Sequence, residues 1–263
     1  MAEYLCPPTD APTEPTIDRM GFRRKFGVIA PSTNTIVQPE FGLMQVPGVT
    51  AHYGRIHIRN QNMASDDQMG HLLVQIREEL PSCVERLMTM QPDYMVMGMS
   101  AETFWDGVEG NRRFIAMIRE LSGGLQVATG AQGCERALGL YNAKKISVLT
   151  PYAEIGDRNV VRFFSDLGFE VKKIKGLRCP TAVSIAQVSE ETLRRSLQEL
   201  DGDDVDAIVQ CGTNLCMAHL ADEAEKWLEK PVIAINTATW WMALRDNDIH
   251  DKIYGFGSLL RDH

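Results

Sequence analysis

The chain has 263 residues, enough for one large α/β domain or for two lobes of roughly a hundred residues or more each. Its hydrophobic share of 44% is ordinary for a soluble globular protein, and its net charge of −8 argues against broad nucleic-acid binding. No apolar run approaches the roughly 18 residues that a bilayer-spanning helix needs. We therefore expect a cytoplasmic protein with no membrane or nucleic-acid partner.

The N-terminal residues have the composition of an unstructured segment. Prolines stand at Pro7, Pro8, Pro12 and Pro15, and no apolar stretch resembles the core of a secretory signal. We therefore expect residues 1–22 to form a flexible arm rather than a targeting peptide.

Short β-rich apolar runs alternate with longer stretches of helical period, the pattern of parallel sheets covered by helices. The predicted strands are Phe26–Ala30, Thr50–Ile58, Tyr94–Met97, Gln126–Thr129, Lys145–Thr150, Phe169–Gly176, Ala207–Gln210 and Val232–Ile235. The predicted helices are Met69–Met90, Val108–Leu121, Cys134–Leu140, Ile155–Leu167, Glu190–Leu200, Leu220–Leu228 and Thr237–Arg245.

One short segment occurs twice. The first copy, residues 93–100, reads DYMVMGMS, and the second, residues 206–213, reads DAIVQCGT. Each is an acidic residue, an apolar run, and then small and hydroxyl residues where a strand should end, and gapless alignment places Gly98 opposite Cys211. Further strand and helix segments match in the same order. The sequence therefore predicts an α/β fold of two pseudo-symmetric Rossmann-like lobes, each a mostly parallel four-stranded sheet flanked by helices.

The repeat also sets the expected domain boundaries. We expect an N-terminal lobe at residues 23–130, completed by part of the C-terminal end, and a C-terminal lobe at residues 131–263. The last helix needs a face to cover, which favours the exchange of a terminal segment between the lobes. Because ligands bind beyond the carboxyl ends of parallel strands, we expect the active site in the cleft between the lobes.

Cys211 is the residue whose position most strongly indicates chemistry. Most free cysteines are buried small hydrophobes, and this interpretation is preferred for Cys83, Cys134, Cys179 and Cys216. Cys211 differs because its position recurs in the other half as Gly98. Its sulfur and the N–H groups of residues 211–213 can point into one cleft.

Polar groups follow the other strand ends. Gly98, Met99 and Ser100 can present N–H groups and one hydroxyl to an oxyanion, although a hydroxyl at a strand end often only caps a turn. Tyr152 can offer its phenol to the same pocket, or can be a half-buried aromatic residue. The loop of residues 31–35 has polar side chains that can bind a carboxylate, and helix capping by Ser32 or Asn34 is an equally good interpretation.

No cofactor or metal is expected. The six cysteines have no CxxC spacing, and the histidines form no HxxxH or HxH pattern. The sequence also lacks GxGxxG and GxxxxGK, so nucleotide phosphates have no obvious binding loop.

Taken together, these motifs resemble those of the aspartate/glutamate racemase superfamily. The Pro-Ser-x-Asn-Thr loop at residues 31–35, Pro151-Tyr152, and Cys211-Gly212 are similar to the arylmalonate decarboxylase and maleate cis–trans isomerase branches, over roughly residues 24 to 260. Racemases and isomerases of the superfamily carry two opposed cysteines. Here Gly98 occupies the first position, as in the arylmalonate decarboxylases.

The resemblance implies a role for each matching residue. Cys211 would be the proton donor, and one carboxylate would lie in a dioxyanion hole made by Gly98, Met99, Ser100, Tyr152, Cys211 and Gly212. The substrate-binding set would also include Pro31, Asn34 and Thr213. The chain departs from the decarboxylase pattern in two ways: Met99 replaces a threonine, and the loop of residues 31–35 looks more like the isomerase loop. Ala182 stands near the place where isomerases carry a substrate-binding asparagine.

The sequence predicts a cofactor-independent decarboxylase of arylmalonate type, which forms an enediolate and protonates it from one cysteine. Its partner would be a small carboxylate or dicarboxylate, and a homo-oligomer is compatible with the sequence. One alternative is a maleate-type isomerase or a relative of the Asp/Glu racemases. Another is a non-catalytic carboxylate-binding protein.

Overall fold

The computed structural model describes residues 17–63 and 65–263. Most of the expected flexible arm, residues 1–16, lies outside the described residues. Residues 17–23 form neither helix nor strand and lead into the first strand.

Eight strands in the described part of the chain form two four-stranded sheets, and every strand pair is parallel. The strands are β1 (Arg24–Pro31), β2 (Val49–Ile56), β3 (Tyr94–Met97), β4 (Val127–Ala128), β5 (Lys145–Thr150), β6 (Glu170–Gly176), β7 (Ala207–Gln210) and β8 (Val232–Ala234). The first sheet has the order β2-β1-β3-β4 and the second has the order β6-β5-β7-β8. The prediction of two similar α/β lobes is confirmed.

Helices flank both sheets. In chain order they are α1 (Val37–Leu43), α2 (Asp66–Met88), α3 (Ala101–Phe104), α4 (Gly107–Leu121), α5 (Gly130–Leu140), α6 (Glu154–Asp166), α7 (Glu190–Leu200), α8 (Ala218–Leu228), α9 (Ile235–Arg245) and α10 (Ser258–Asp262), with a 3₁₀ turn at Ser184–Gln187. No helix among the described residues is both long enough and apolar enough to cross a membrane.

The two copies of the repeated segment make the same hydrogen bonds. At the strand starts, the Asp93 carboxylate accepts from the Lys25 N–H at 2.7 Å, and Asp206 accepts from the Lys145 N–H at 2.8 Å. At the strand ends, the N–H groups of Gly98 and Cys211 each donate to the neighbouring central strand at 2.8 Å. Gly98 and Cys211 are therefore structurally equivalent positions.

Helix α9 follows the second sheet in the chain but packs against the first. Trp240 is fully buried, and its ring lies 5.5 Å from that of Phe26 and 4.9 Å from that of Phe41. Its indole N–H donates to the Met44 carbonyl at 2.8 Å. A buried aromatic residue of this size contributes strongly to core packing, so helix α9 completes the core of the first lobe.

Helix α5 begins at Gly130, earlier than the predicted start at Cys134. Thr129 caps it by accepting from the Gln132 N–H at 3.3 Å. The first turn of α5 was not predicted because it contains Gly133, and glycine is a poor helix former. The structure explains this glycine: a Cβ there would lie 2.6 Å from the Ala238 carbonyl oxygen, so α5 and α9 could not pack as closely.

Candidate active site

A cavity with about 490 Å³ of empty space, open solvent at its mouth included, lies between the carboxyl ends of the two sheets. Both lobes contribute to its walls. The lining residues are Pro31, Thr33, Asn34, Ile58, Met63, Met69, Leu72, Ile76, Met99, Ser100, Ala101, Pro151, Tyr152, Ala182, Ile185, Gly212, Thr213 and Asn214. Seven of the nine residues predicted for the site line this cavity. The other two, Gly98 and Cys211, immediately precede the lining residues Met99 and Gly212 in the chain.

Two hydroxyl groups from different lobes meet in the cavity wall. The Ser100 Oγ and the Tyr152 OH are 2.6 Å apart, and the Thr213 N–H donates to the Ser100 Oγ at 3.2 Å. Each hydroxyl carries one proton, and the hydrogen bond between them uses only one of the two. This pair can therefore donate one O–H to a bound oxyanion.

Backbone donors surround the hydroxyl pair. In the described part of the chain, the N–H groups of Met99, Ser100 and Gly212 have no hydrogen-bond acceptor. The N–H groups of Gly98 and Cys211 are used in the sheets, where they donate to the carbonyls of Ile29 and Leu149. The backbone donors free to bind an anion are thus those of the residues following the two equivalent strand ends.

Cys211 is fully buried and does not itself line the cavity, although the next three residues do. Burial raises the pKa of the Cys211 thiol well above its ordinary value of about 9.0, and nearby Cys134 and Asp157 contribute less in the same direction. At neutral pH the group is therefore a neutral thiol, suited to donate a proton rather than to attack as a thiolate.

Asn34, predicted to bind substrate, has its amide engaged within the protein. Its Oδ1 accepts from the N–H groups of Ile36 at 3.0 Å and Val37 at 2.9 Å, at the start of α1. Its Nδ2 donates to the Thr213 Oγ1 at 3.0 Å, and that hydroxyl in turn donates to the Gly98 carbonyl at 3.3 Å. The Oδ1 contacts therefore hold the start of α1, although the N-cap residue is Ile36 rather than Ser32 or Asn34. Asn34 also joins the two lobes.

Two polar lining residues, Thr33 and Asn214, were not among the predicted site residues. Asn214 binds across the cleft, since its Oδ1 accepts from the Thr35 N–H at 2.9 Å and its Nδ2 donates to the Ala182 carbonyl at 2.9 Å. Thr33 belongs to the predicted polar loop, and its hydroxyl forms no hydrogen bond within the described residues. The unpaired Thr33 hydroxyl is the polar group of that loop available to a ligand.

Part of the cavity wall is apolar. It is formed by Ile58, Met63, Met69, Leu72, Ile76 and Ile185. Among the described residues that line the cavity there is no Asp, Glu, Lys, Arg or His. A carboxylate held by the hydroxyl and N–H donors would therefore have no cationic side chain beside it among these lining residues, and an apolar substituent would pack against the apolar ones.

The Tyr152 backbone is fixed by polar residues behind the cavity. The Tyr152 N–H donates to the Thr150 Oγ1 at 3.2 Å, and its carbonyl accepts from the Arg178 Nη1 at 2.7 Å. Burial raises the pKa of the Tyr152 phenol, while its hydrogen bond with Ser100 acts in the opposite direction. The phenol therefore remains protonated and able to donate at neutral pH.

The described residues contain no group of three or more His, Cys, Asp or Glu side chains arranged to hold a metal ion. The chemistry that this cavity supports uses neutral hydrogen-bond donors to stabilise negative charge on an oxygen, and one buried thiol as a proton source.

A family model described as arylmalonate decarboxylase matches residues 34–260. A maleate isomerase of Nocardia farcinica is 24% identical over 249 residues, which cover 92% of this chain and 97% of that protein. A maleate isomerase of Geobacillus stearothermophilus is 20% identical over 247 residues, covering 90% of this chain and 96% of that protein.

Solved structures share the fold. The Nocardia farcinica maleate cis–trans isomerase with a covalently bound succinylcysteine intermediate superposes with a TM-score of 0.82, at 22% identity, covering 91% of this chain and 99% of that one. A mutant of arylmalonate decarboxylase in the liganded form superposes with a TM-score of 0.79, at 18% identity, covering 91% of this chain and all of that one.

Proposed function

The chain belongs to the arylmalonate decarboxylase family, and on this premise we propose that it is a cofactor-independent decarboxylase of a malonate with an apolar substituent. Its immediate product would be an enediolate, which Cys211 protonates. The observation that carries the proposal is the glycine at position 98, structurally equivalent to the only thiol at the two matched strand ends.

One thiol suits decarboxylation better than it suits racemisation. A racemase needs an acid and a base on opposite faces of the substrate, and Gly98 has no side chain to serve as either. A decarboxylase needs a single proton donor after carbon dioxide has left. The protonated state of the buried Cys211 at neutral pH fits that role.

The proposed reaction breaks one carbon–carbon bond. As carbon dioxide leaves, the bonding electron pair moves into the remaining carboxylate and gives the enediolate. The Ser100–Tyr152 pair and the N–H groups of Met99 and Gly212 stabilise the developing negative charge. The Cys211 S–H then donates its proton to the α-carbon, and water returns a proton to the resulting thiolate.

A maleate-type isomerase is the second candidate, since the chain matches relatives of that name over nearly their whole length. One such protein holds a succinylcysteine intermediate, which requires a cysteine bonded to carbon. Here Cys211 would have to be that nucleophile, and burial keeps it as the less reactive thiol. The lining also lacks a cationic side chain for the second carboxylate of maleate.

The test is a substrate panel followed by proton NMR in D2O. Aryl- and alkylmalonates, maleate, aspartate and glutamate would be incubated with the wild-type chain and with Cys211→Ala. Decarboxylation predicts loss of a malonate and a single α-deuterium in the product, with no turnover by Cys211→Ala. Fumarate from maleate would favour the isomerase, α-exchange of an amino acid would favour a racemase, and binding without turnover would favour a carboxylate-binding protein.

A further inference from the structure

We infer that Asp157, with Thr150 and Arg178, is a positioning unit that sets where the Tyr152 hydroxyl stands. The inference rests on the proposed function, because it concerns a donor of that site. None of the three residues lines the cavity. Each acts on Tyr152 from behind, and Asp157 joins the other two.

The unit binds both polar backbone groups of Tyr152. The Thr150 hydroxyl oxygen accepts from the Tyr152 N–H at 3.2 Å and donates its own proton to one Asp157 oxygen. The Arg178 Nη1 donates to the other Asp157 oxygen at 2.5 Å and to the Tyr152 carbonyl at 2.7 Å. The four residues form a closed ring of hydrogen bonds, which leaves the Tyr152 backbone little freedom to rotate.

The Asp157 carboxylate is the buried centre of this ring. Its side chain is 7% exposed, whereas that of Arg178 is 51% exposed. An ion pair with one exposed partner contributes little stability by itself. The cost of burying a carboxylate points to a geometric role for it, namely holding a hydroxyl and a guanidinium in one orientation.

The surrounding backbone is adapted to the ring. Arg178 has a φ of +56°, in the left-handed region that non-glycine residues avoid, which brings its side chain back over the Tyr152 carbonyl. A Cβ at Gly176 would lie 2.2 Å from the Arg178 Nη1, and a Cβ at Gly156 would lie 2.5 Å from the Tyr152 Cβ. Glycine therefore stands at both points where a side chain would push into the ring or into Tyr152.

The position of the hydroxyl matters because Tyr152 bridges the lobes. Its OH lies 2.6 Å from the Ser100 Oγ of the other lobe, and this pair supplies the free O–H. Misplacing a catalytic group by about 1 Å can cost roughly 10²-fold in rate. A shift of the Tyr152 backbone would move its hydroxyl away from Ser100 and from the bound carboxylate.

The test is a double-mutant cycle between Asp157→Asn and Tyr152→Phe. We expect Asp157→Asn to lower kcat by about 10-fold or more with little change in KM, since the donor acts mainly on the transition state. In the Tyr152→Phe background the same change should lower kcat by less than about 2-fold, because the hydroxyl to be positioned is gone. Equal losses in both backgrounds would show a general structural role and overturn the inference.

Two further variants keep the test decisive. Arg178→Asn removes the guanidinium from an exposed side chain, and asparagine tolerates the left-handed backbone, so this variant should fold even if Asp157→Asn does not. Asp222→Asn is the control, because Asp222 is another buried acid in an ion pair, with Lys226, and does not line the cavity. Asp222→Asn should leave kcat unchanged, whereas Arg178→Asn should behave like Asp157→Asn.

Tyrosine-labelled NMR separates failure of the inference from failure of the proposed function. The chain has six tyrosines, and Tyr152→Phe identifies the ring signal of Tyr152. Asp157→Asn and Arg178→Asn should shift or broaden that signal, and Asp222→Asn should not. An unmoved Tyr152 signal overturns the inference whatever the enzyme does, while a moved signal in a chain that decarboxylates no malonate sinks only the proposed function.

Discussion

Removing either hydroxyl of the Ser100–Tyr152 pair should slow turnover, but the two removals should differ in stability. Both hydroxyls belong to one hydrogen-bonded pair at 2.6 Å that leaves one O–H for the substrate. Each of Ser100→Ala and Tyr152→Phe should lower kcat by roughly 10²-fold or more, the usual effect of losing an oxyanion donor. Because the two hydroxyls act as a unit, the double variant should be only slightly slower than either single one.

The stability difference follows from the third member of the group. The Thr213 N–H donates to the Ser100 Oγ, and Thr213 is 4% exposed. Ser100→Ala leaves this buried donor without an acceptor, which should cost about 1–3 kcal/mol of unfolding free energy. Tyr152→Phe leaves the Ser100–Thr213 bond in place, so it should destabilise the chain less.

The assay combines carbon dioxide release with urea unfolding. Tyr53→Phe is the matched control, because the Tyr53 hydroxyl is buried without a partner in the described structure and does not line the cavity. This control should keep both the wild-type kcat and the wild-type stability or better. Wild-type kcat in both Ser100→Ala and Tyr152→Phe would refute the placement of the oxyanion donors.

Three other outcomes are expected. Cys211→Ala should abolish turnover with the fold intact. Because the protonated thiol is the donor form, wild-type activity should persist to about pH 9 and fall only as pH rises through the raised pKa of the thiol. A loss of activity already near pH 7 would contradict this. Gly98→Cys should exchange the α-proton of the product from both faces and lower the enantiomeric excess of the product. Gly98→Ala is the control for the added Cβ, which would lie only 3.1 Å from the Ile29 carbonyl oxygen. An unchanged enantiomeric excess in a folded, active Gly98→Cys variant would contradict this prediction. Activity should survive exhaustive EDTA dialysis, and a loss restored by a divalent ion would show a metal requirement.

The sheet strands were predictable because their signals are local. Central strands such as β3 and β7 are buried apolar runs. The repeat at residues 93–100 and 206–213 indicates the equivalence of Gly98 and Cys211 from the sequence alone. The short helix α1 was not predicted. Its seven residues include Pro39 and Gly42, and its start depends on Asn34, whose side chain also reaches across to Thr213.

The sequence predicts which residues lie together at the cavity, but not which of their donor and acceptor atoms lack a partner within the protein. Sequence reasoning treated the N–H groups of Gly98, Met99 and Ser100 alike, yet the first completes the sheet and the other two remain open. The Asn34 amide is likewise engaged, whereas the neighbouring Thr33 hydroxyl is not. These differences depend on partners far away in the chain, such as Ile29 and Thr213, which no local pattern reveals.

Thr213 explains how a fold with two similar halves can hold one asymmetric site in register. Its N–H donates to the Ser100 Oγ at 3.2 Å and its hydroxyl donates to the Gly98 carbonyl at 3.3 Å, both in the opposite lobe. Its carbonyl accepts from the Asn236 Nδ2 at 2.9 Å. Because Thr213 stands two residues after Cys211, the loop that carries the thiol is bonded directly to the loop that carries the oxyanion donors. In the proposed reaction, the same contacts would hold the proton donor at a set distance from the bound enediolate, which is the condition for protonating one face.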